Sequence, residues 1–302
     1  MSTPAPQATT PEQALAWEAE HRTRAGAASI AAGLLTLLGS ILTTVGFNAI
    51  PDYADKVVTP IDTLGHLVAG TTIPQGRGAL QVLYLADHAT IPLSGAILQG
   101  LGGLLLFFPA AYLYSATKAR NPTLLKLTLI AAAAGAAMYG IGTAASGIAR
   151  YSAATGLAAD ATNADAVDAL KSGGVLIGAA VQQLGGFLLG FTFVMLGLNA
   201  MRVGLLTRFM GILGVITGAT FVLPLDQQGI LRSFWLVALG ALFLGRWPSV
   251  LPAWETGRPQ PWPTAQQLRE RRDGAGEVAP ATPAPAPRAP SANASKKKRK
   301  RK

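Results

Sequence analysis

Five stretches of this chain carry no charged side chain and are long enough to cross a lipid bilayer: Gly26–Ile50, Ile91–Thr117, Leu127–Ala149, Gly173–Met201 and Phe209–Leu225. A helix rises about 1.5 Å per residue and the hydrocarbon core is roughly 30 Å thick, so each block suits one crossing. A sixth block, Ser233–Gly245, is short by itself. It reaches spanning length when Arg232 and Arg246 extend outward from its ends. Only 13% of the residues are charged, about half the usual share for a soluble domain. The chain therefore reads as all-α, a polytopic membrane bundle of six transmembrane helices. Residues 1–25 form a cytoplasmic N-terminal segment, 26–250 the membrane domain, and 251–302 a cytoplasmic, largely disordered basic tail.

The charges between the blocks give an orientation. With the N terminus in the cytoplasm, that side holds 20 of the 25 Lys and Arg; Lys56, Arg77, Arg150, Lys171 and Arg232 lie outside. An excess of basic residues on the cytoplasmic side is the usual pattern. It predicts a multi-pass membrane protein with both termini cytoplasmic. The first apolar block is too long for the core of a cleavable signal and is expected to remain as an anchor. There is no cysteine, so disulfides and thiolate chemistry are excluded.

Local signals punctuate the chain. Thr10, Pro11 and Gln13 form a helix start, with Trp17 and the following arginines suited either to a helix at the headgroups or to a frayed lead-in. Thr59, Pro60 and Asp62 begin another helix that Gly70 should stop. A second outer amphipathic piece, 78–92, is expected to break from the next span near Pro92. Asp160, Asp165 and Asp168 spread over one broad face of an outer helix and read as a solvated surface. Thr264 and Gln267 cap one or two further turns near the tail.

The stretch "SGAILQGLGGLLLFF" (94–108) returns as "IGAAVQQLGGFLLGF" (177–191), and each is followed by a basic turn, Arg120 and Lys126 or Arg202 and Arg208. The pattern points to a parallel internal repeat of spans 2–3 and 4–5. In each copy small residues recur every four positions: Gly95, Gln99, Gly103; and Gly174, Gly178, Gln182, Gly186, Gly190. Spans 1 and 3 have similar ridges, including Ala32, Thr36 and Ser40, and Ala132, Ala136 and Gly140. Such ridges predict close helix packing, because lipid gives helices no hydrophobic reason to associate. The two ridges of the repeat are expected to meet at the bundle centre. An unpartnered amide in hydrocarbon is costly, so Gln99 and Gln182 should turn inward and bond each other, Gln183 or backbone. They serve as glue between helices or, alternatively, as a mid-membrane site that binds or passes a small neutral solute. Pro109 should kink span 2.

No Asp, Glu, Lys, Arg or His occupies the middle of a block, which argues against a proton-coupled pump. No phosphate loop, nucleophile elbow or zinc-helix motif is present, and no cofactor is implied. One outer cluster, Asp62, His66, Asp87 and His88, has the side chains of a metal site. An external metal-dependent enzyme is thus a third reading, behind a structural or interaction role and behind solute passage. The terminal run Lys296, Lys297, Lys298, Arg299, Lys300, Arg301 and Lys302 suits anionic lipid headgroups rather than nucleic acid. Without it the formal charge falls from +10 to +3. A protein partner or self-association is compatible with the small-residue ridges.

Residues 190–225 ("GFTFVMLGLNAMRVGLLTRFMGILGVITGATFVLPL") and 234–263 ("FWLVALGALFLGRWPSVLPAWETGRPQPWP") resemble a family of uncharacterised bacterial six-helix membrane proteins with a basic C-terminal tail. The resemblance implies the topology above in a bacterial inner membrane and assigns no residue a role.

Overall fold

The computed structural model describes residues 10–50, 60–71, 77–158, 161–223, 225–226, 228–247, 251–262 and 269. Among them there are eleven helices and no strand. In chain order these are α1 (Pro11–Asn48), α2 (Pro60–Ala69), α3 (Arg77–His88), α4 (Thr90–Leu105), α5 (Phe107–Arg120) and α6 (Lys126–Thr155). There follow α7 (Asn163–Leu170), α8 (Gly173–Arg202), α9 (Arg208–Thr220), α10 (Ile230–Phe243) and α11 (Pro252–Thr256).

Four helical stretches are long and apolar enough to cross a membrane: α1, α4 with α5, α6 and α8. Helices α9 and α10 are apolar but shorter, at 13 and 14 residues, which is about 20 Å of rise each. Helix α9 ends at Thr220, a few residues before Pro224. The position before a proline disfavours helical backbone.

The first helix starts where its sequence says. Gln13 N–H donates to Thr10 Oγ1 at 3.3 Å, and Thr10 N–H donates to Gln13 Oε1 at 3.0 Å. From there α1 runs unbroken through Gly26, so the polar segment from Pro11 onward is the first four turns of the long helix. The expected break before Pro92 falls at Ala89, between α3 and α4. Gly70, with φ of +63°, ends α2. Thr59 lies outside the described residues, as do Thr264 and Gln267.

Six helices pack as an antiparallel ring: α1 on α4, α4 on α6, α6 on α8, α8 on α9, α9 on α10, and α10 back on α1. Glycines set its spacing. A Cβ placed on Gly39 would lie 2.6 Å from Gly95 O, and one on Gly140 2.6 Å from Gly100 O. The same holds for Gly218 against Gly190 O at 2.8 Å and Gly240 against Gly26 O at 2.7 Å. Four neighbouring pairs therefore cross glycine to glycine, with backbones closer than any side chain permits. The small-residue ridges are contact surfaces, as lipid-phase packing requires.

The ridges of the repeat do not meet. Gly95 packs on Gly39 and Thr43 of α1, whereas Gly178 packs on Ser146 and Gln182 on Gly142 of α6. Helix α6 stands between the two copies. Its Gly140 faces α4 and its Gly142 faces α8, because two residues rotate a helix by about 200°. Four-residue spacing shows that a face is small; it does not name the partner.

The kink expected at Pro109 is a break at Leu106, whose N–H bonds to Gly103 O at 3.2 Å. It directs α5 inside the ring, against α1, α6 and α8. Leu113 and Thr117 are fully buried there, beside Phe193 and Trp235 in the main core. At the other end, α3 and α7 close a smaller core of Phe47, Ile50, Val82, Leu85, Ala154 and Ala166. Asp165 is not only part of a solvated face. Its carboxylate accepts from Thr162 N–H at 2.7 Å, and that bond holds its pKa below the ordinary carboxylate value. Asp168 pairs with Lys171 at 2.7 Å on the exposed side, and Asp160 lies outside the described residues. The compact unit ends at Trp262; the run 296–302 falls outside the described residues.

Candidate functional site

The glutamines do not share a site. Gln99 Nε2 donates to Thr43 Oγ1 of α1 at 3.2 Å, so it joins the first two spans. Gln182 is half-buried with its backbone against Gly142, and Gln183 is exposed on the outer surface of α8. A mutual amide bond between Gln99 and Gln182 is replaced by one bond across α1 and α4. The outer polar cluster is also dispersed. His66 Nδ1 is 2.8 Å from Thr71 Oγ1, while His88 stacks on Tyr84 with ring centroids 4.3 Å apart. Asp87 is exposed, and the side chain of Asp62 lies outside the described residues. Among the described residues no three His, Asp or Glu come together as metal ligands would.

The chemistry that does converge is at the opposite end of the bundle. Glu18, on the first turns of α1, is paired with Arg120, the last residue of α5; their side chains are 6% and 0% exposed. The pair is two-pronged, with Arg120 Nη1 on Glu18 Oε1 and Nη2 on Oε2 at 3.2 Å. Arg120 also donates from Nε and Nη2 to Ala253 O at 3.1 and 2.6 Å, and from Nη1 to Ala116 O at 3.0 Å. One guanidinium thus ties α1, α5 and α11 together, which is the geometry that arginine's planar fork favours.

Aromatic rings wall this end. Trp17 stacks on His21 and on Tyr112, Tyr112 lies parallel to Trp254 with centroids 5.9 Å apart, and Phe243 meets both Tyr112 and Trp254 edge-on. Tyr112 Oη donates to Glu18 O at 3.3 Å, and Trp254 Nε1 donates to Leu205 O at 2.9 Å. Against this wall lies a cleft of about 430 Å³, lined by Glu18 and Arg22 of α1, Tyr112, Phe243, Trp247 and Trp254. Glu255 and Gly245 complete its rim. Arg22 is anchored, since its Nε donates to Phe243 O at 2.9 Å. Gly245, with φ of +71°, leaves room beside it: a Cβ there would lie 2.6 Å from Arg22 Nη2. Gly257, at φ of +65°, similarly admits Pro11 O, at 2.7 Å from where its Cβ would stand.

Sequence reasoning missed Glu18 because it reads as one of several acids in a polar lead-in. A signal existed. Ala14, Glu18 and Ala25 are buried along one side of α1, and an acid on such a stripe calls for a buried cation. A second ionic group lies in the ring itself. Arg232 bonds Asp226 Oδ2 at 3.3 Å and Tyr139 Oη at 2.8 Å, and stands over the Phe221 ring at 4.9 Å. Tyr139 is midway along α6. The guanidinium read as an outer charge is thus brought beside the middle of a long apolar helix. Gln228 Oε1 accepts from Thr44 at 2.9 Å and Ser40 at 3.3 Å nearby.

The class defined by these features is a helical bundle whose long apolar helices are compatible with a membrane protein, with a charged, aromatic cleft at one end. No family model, no curated protein and no solved structure matches the chain.

Proposed function

We propose that the protein is a six-span integral protein of a bacterial inner membrane, with a structural or interaction role and no solute pathway. It would belong with the six-helix proteins that residues 190–263 resemble, both termini facing the cytoplasm. The observation that carries the role is the position of α5, which occupies the interior of the ring where a pathway would run. Tyr139, Arg232 and Phe221 bridge the remaining interior with direct contacts. In this reading α9 and α10 complete the fifth and sixth crossings together with their non-helical ends. Gln99 acts as glue between α1 and α4, and the basic run 296–302 faces anionic headgroups.

Permeability tests the role. Liposomes containing the purified protein should admit glycerol and urea no faster than protein-free liposomes in a stopped-flow swelling assay. Swelling that is faster and is abolished by Gln99→Leu would favour the solute-site reading instead.

Labelling tests the topology, and the absence of cysteine makes it direct. Single cysteines at the exposed positions Pro122 and Gln260 should be shielded from an impermeant thiol reagent in intact cells. Single cysteines at Ala69 and Ser172, which are also exposed, should react. Reaction at Gln260 from outside would overturn the orientation.

A further inference from the structure

We propose that the cleft between α1, α5, α10 and α11 binds the headgroup of a zwitterionic aminophospholipid, its phosphate on Arg22 and its ammonium on Glu255 against the aromatic wall. The proposal rests on the membrane reading above and names a ligand for the site at the bundle's end.

Three observations lead to it. The first is depth. Arg22 comes four residues before the charge-free block that starts at Gly26, and Gly245 closes the block of α10. Tyr112 stands close to the end of a third block, Ile91–Thr117. The cleft therefore sits where hydrocarbon gives way to headgroups, the level at which Trp and Tyr concentrate. A volume of about 430 Å³ is within the range of small-ligand sites.

The second is charge. Of the two carboxylates that line the cleft, Glu18 is already neutralised by Arg120. Arg22 also lies in the field of Glu18 and has its Nε on Phe243 O, so its Nη groups and the Glu255 carboxylate are the charges that a ligand would match. A headgroup with phosphate alone would leave Glu255 facing like charge. A free amine would leave Arg22 unmatched. A phosphate joined to an ammonium by a short linker satisfies both, and arginine is well suited to phosphate.

The third is preorganisation. Arg22 is held by its bond to Phe243 O, and Trp254 is held by its bond to Leu205 O. Tyr112, Phe243 and Trp254 pack as one aromatic group. Trp254 already carries the Arg120 guanidinium 5.6 Å from its ring centroid, so the ring offered to an ammonium is that of Trp247, which also lines the cleft. Such a ring face attracts a cation, more so when it is partly desolvated. Fixed groups lose little freedom on binding, so more of each contact appears as affinity. Arg24 provides an internal control: it is exposed on α1 and does not line the cleft.

The test uses the full chain, delipidated in detergent and exposed to equal amounts of phosphatidylethanolamine and phosphatidylglycerol with identical acyl chains. Native mass spectrometry reads the retained lipid. Phosphatidylethanolamine should be retained over phosphatidylglycerol by about fivefold. Glu255→Gln, at an exposed position, should bring that ratio close to one. Arg22→Gln should reduce retention of both lipids, and Arg24→Gln should change neither. Equal retention by the unmodified chain, or a ratio that Glu255→Gln leaves intact, overturns the proposal. Soluble glycerophosphoethanolamine that displaced the lipid at equimolar concentration would overturn the lipid as the source of the headgroup. The labelling experiment reports on the membrane reading by itself. A chain that inserts as expected yet shows no headgroup preference removes this inference alone.

Discussion

Arg120→Ala should lower the unfolding free energy of the bundle in detergent by about 3–5 kcal/mol, the usual cost of stranding one partner of a buried ion pair. Removal of the guanidinium leaves the Glu18 carboxylate, 6% exposed, without its counter-charge. It also leaves Ala253 O, which accepts two bonds from Arg120, without a donor. Helix α11 then loses its tie to α1 and α5, and the aromatic wall loosens with it. The double variant Glu18→Gln with Arg120→Met should be less destabilised than Arg120→Met by itself, because the neutral pair strands no charge. Arg202→Ala, at an exposed position on α8, should stay within about 0.5 kcal/mol of the parent. Denaturant unfolding followed by tryptophan fluorescence reads all four. If Arg120→Ala matches Arg202→Ala, the pair is solvated and the end of the bundle is open.

What could be read in advance follows from the range of each interaction. The capping of α1 by Thr10 and Gln13, the stop at Gly70 and the break before Pro92 depend on residues a few positions apart, and each falls where local chemistry put it. The existence of small contact faces was equally local, since glycine every fourth residue is a property of one helix. Choice of partner is not local. Gly95 and Gly178 look equivalent in the repeated stretch, yet one meets α1 and the other α6. That difference arises because Gly135, Gly142 and Ser146 give α6 a second small face that its four-residue ridge through Gly140 does not contain. The ionic pairs were hidden for the same reason. Glu18 and Arg120 are 102 positions apart, and Arg232 and Tyr139 are 93 apart. Each member is unremarkable in its own segment. The shortness of α9 escaped a count of apolar residues, because Phe221, Val222 and Leu223 are apolar but lie beyond the helix end at Thr220.

Gly142→Leu is the second large effect expected, and it separates backbone approach from hydrogen bonding as the source of cohesion. A Cβ on Gly142 would lie 2.7 Å from Gln182 Cα, so the obstacle is backbone and cannot rotate away. The opposing face offers no slack either, because Gly185 lies against Tyr139 Cα, at 2.8 Å from where its own Cβ would stand. Helices α6 and α8 make the most extensive helix contact in the molecule. A leucine at position 142 must push them apart, and α6, displaced away from α8, would be driven against α4, where Gly140 already meets Gly100 at backbone distance. Overpacking typically costs about 1–3 kcal/mol and sometimes more; here the loss should reach about 3 kcal/mol or above. Gln182→Leu, at the same crossing, should cost no more than about 0.6 kcal/mol, the average for an interhelical hydrogen bond in lipid, because Gln182 meets α6 through its backbone and Cβ. Gly173→Leu should be neutral, since no atom lies within 4 Å of a Cβ built there. Thermal unfolding in one detergent gives the order Gly142→Leu, then Gln182→Leu, then Gly173→Leu. If Gln182→Leu proves the most damaging, amide bonding rather than glycine contact holds α6 to α8.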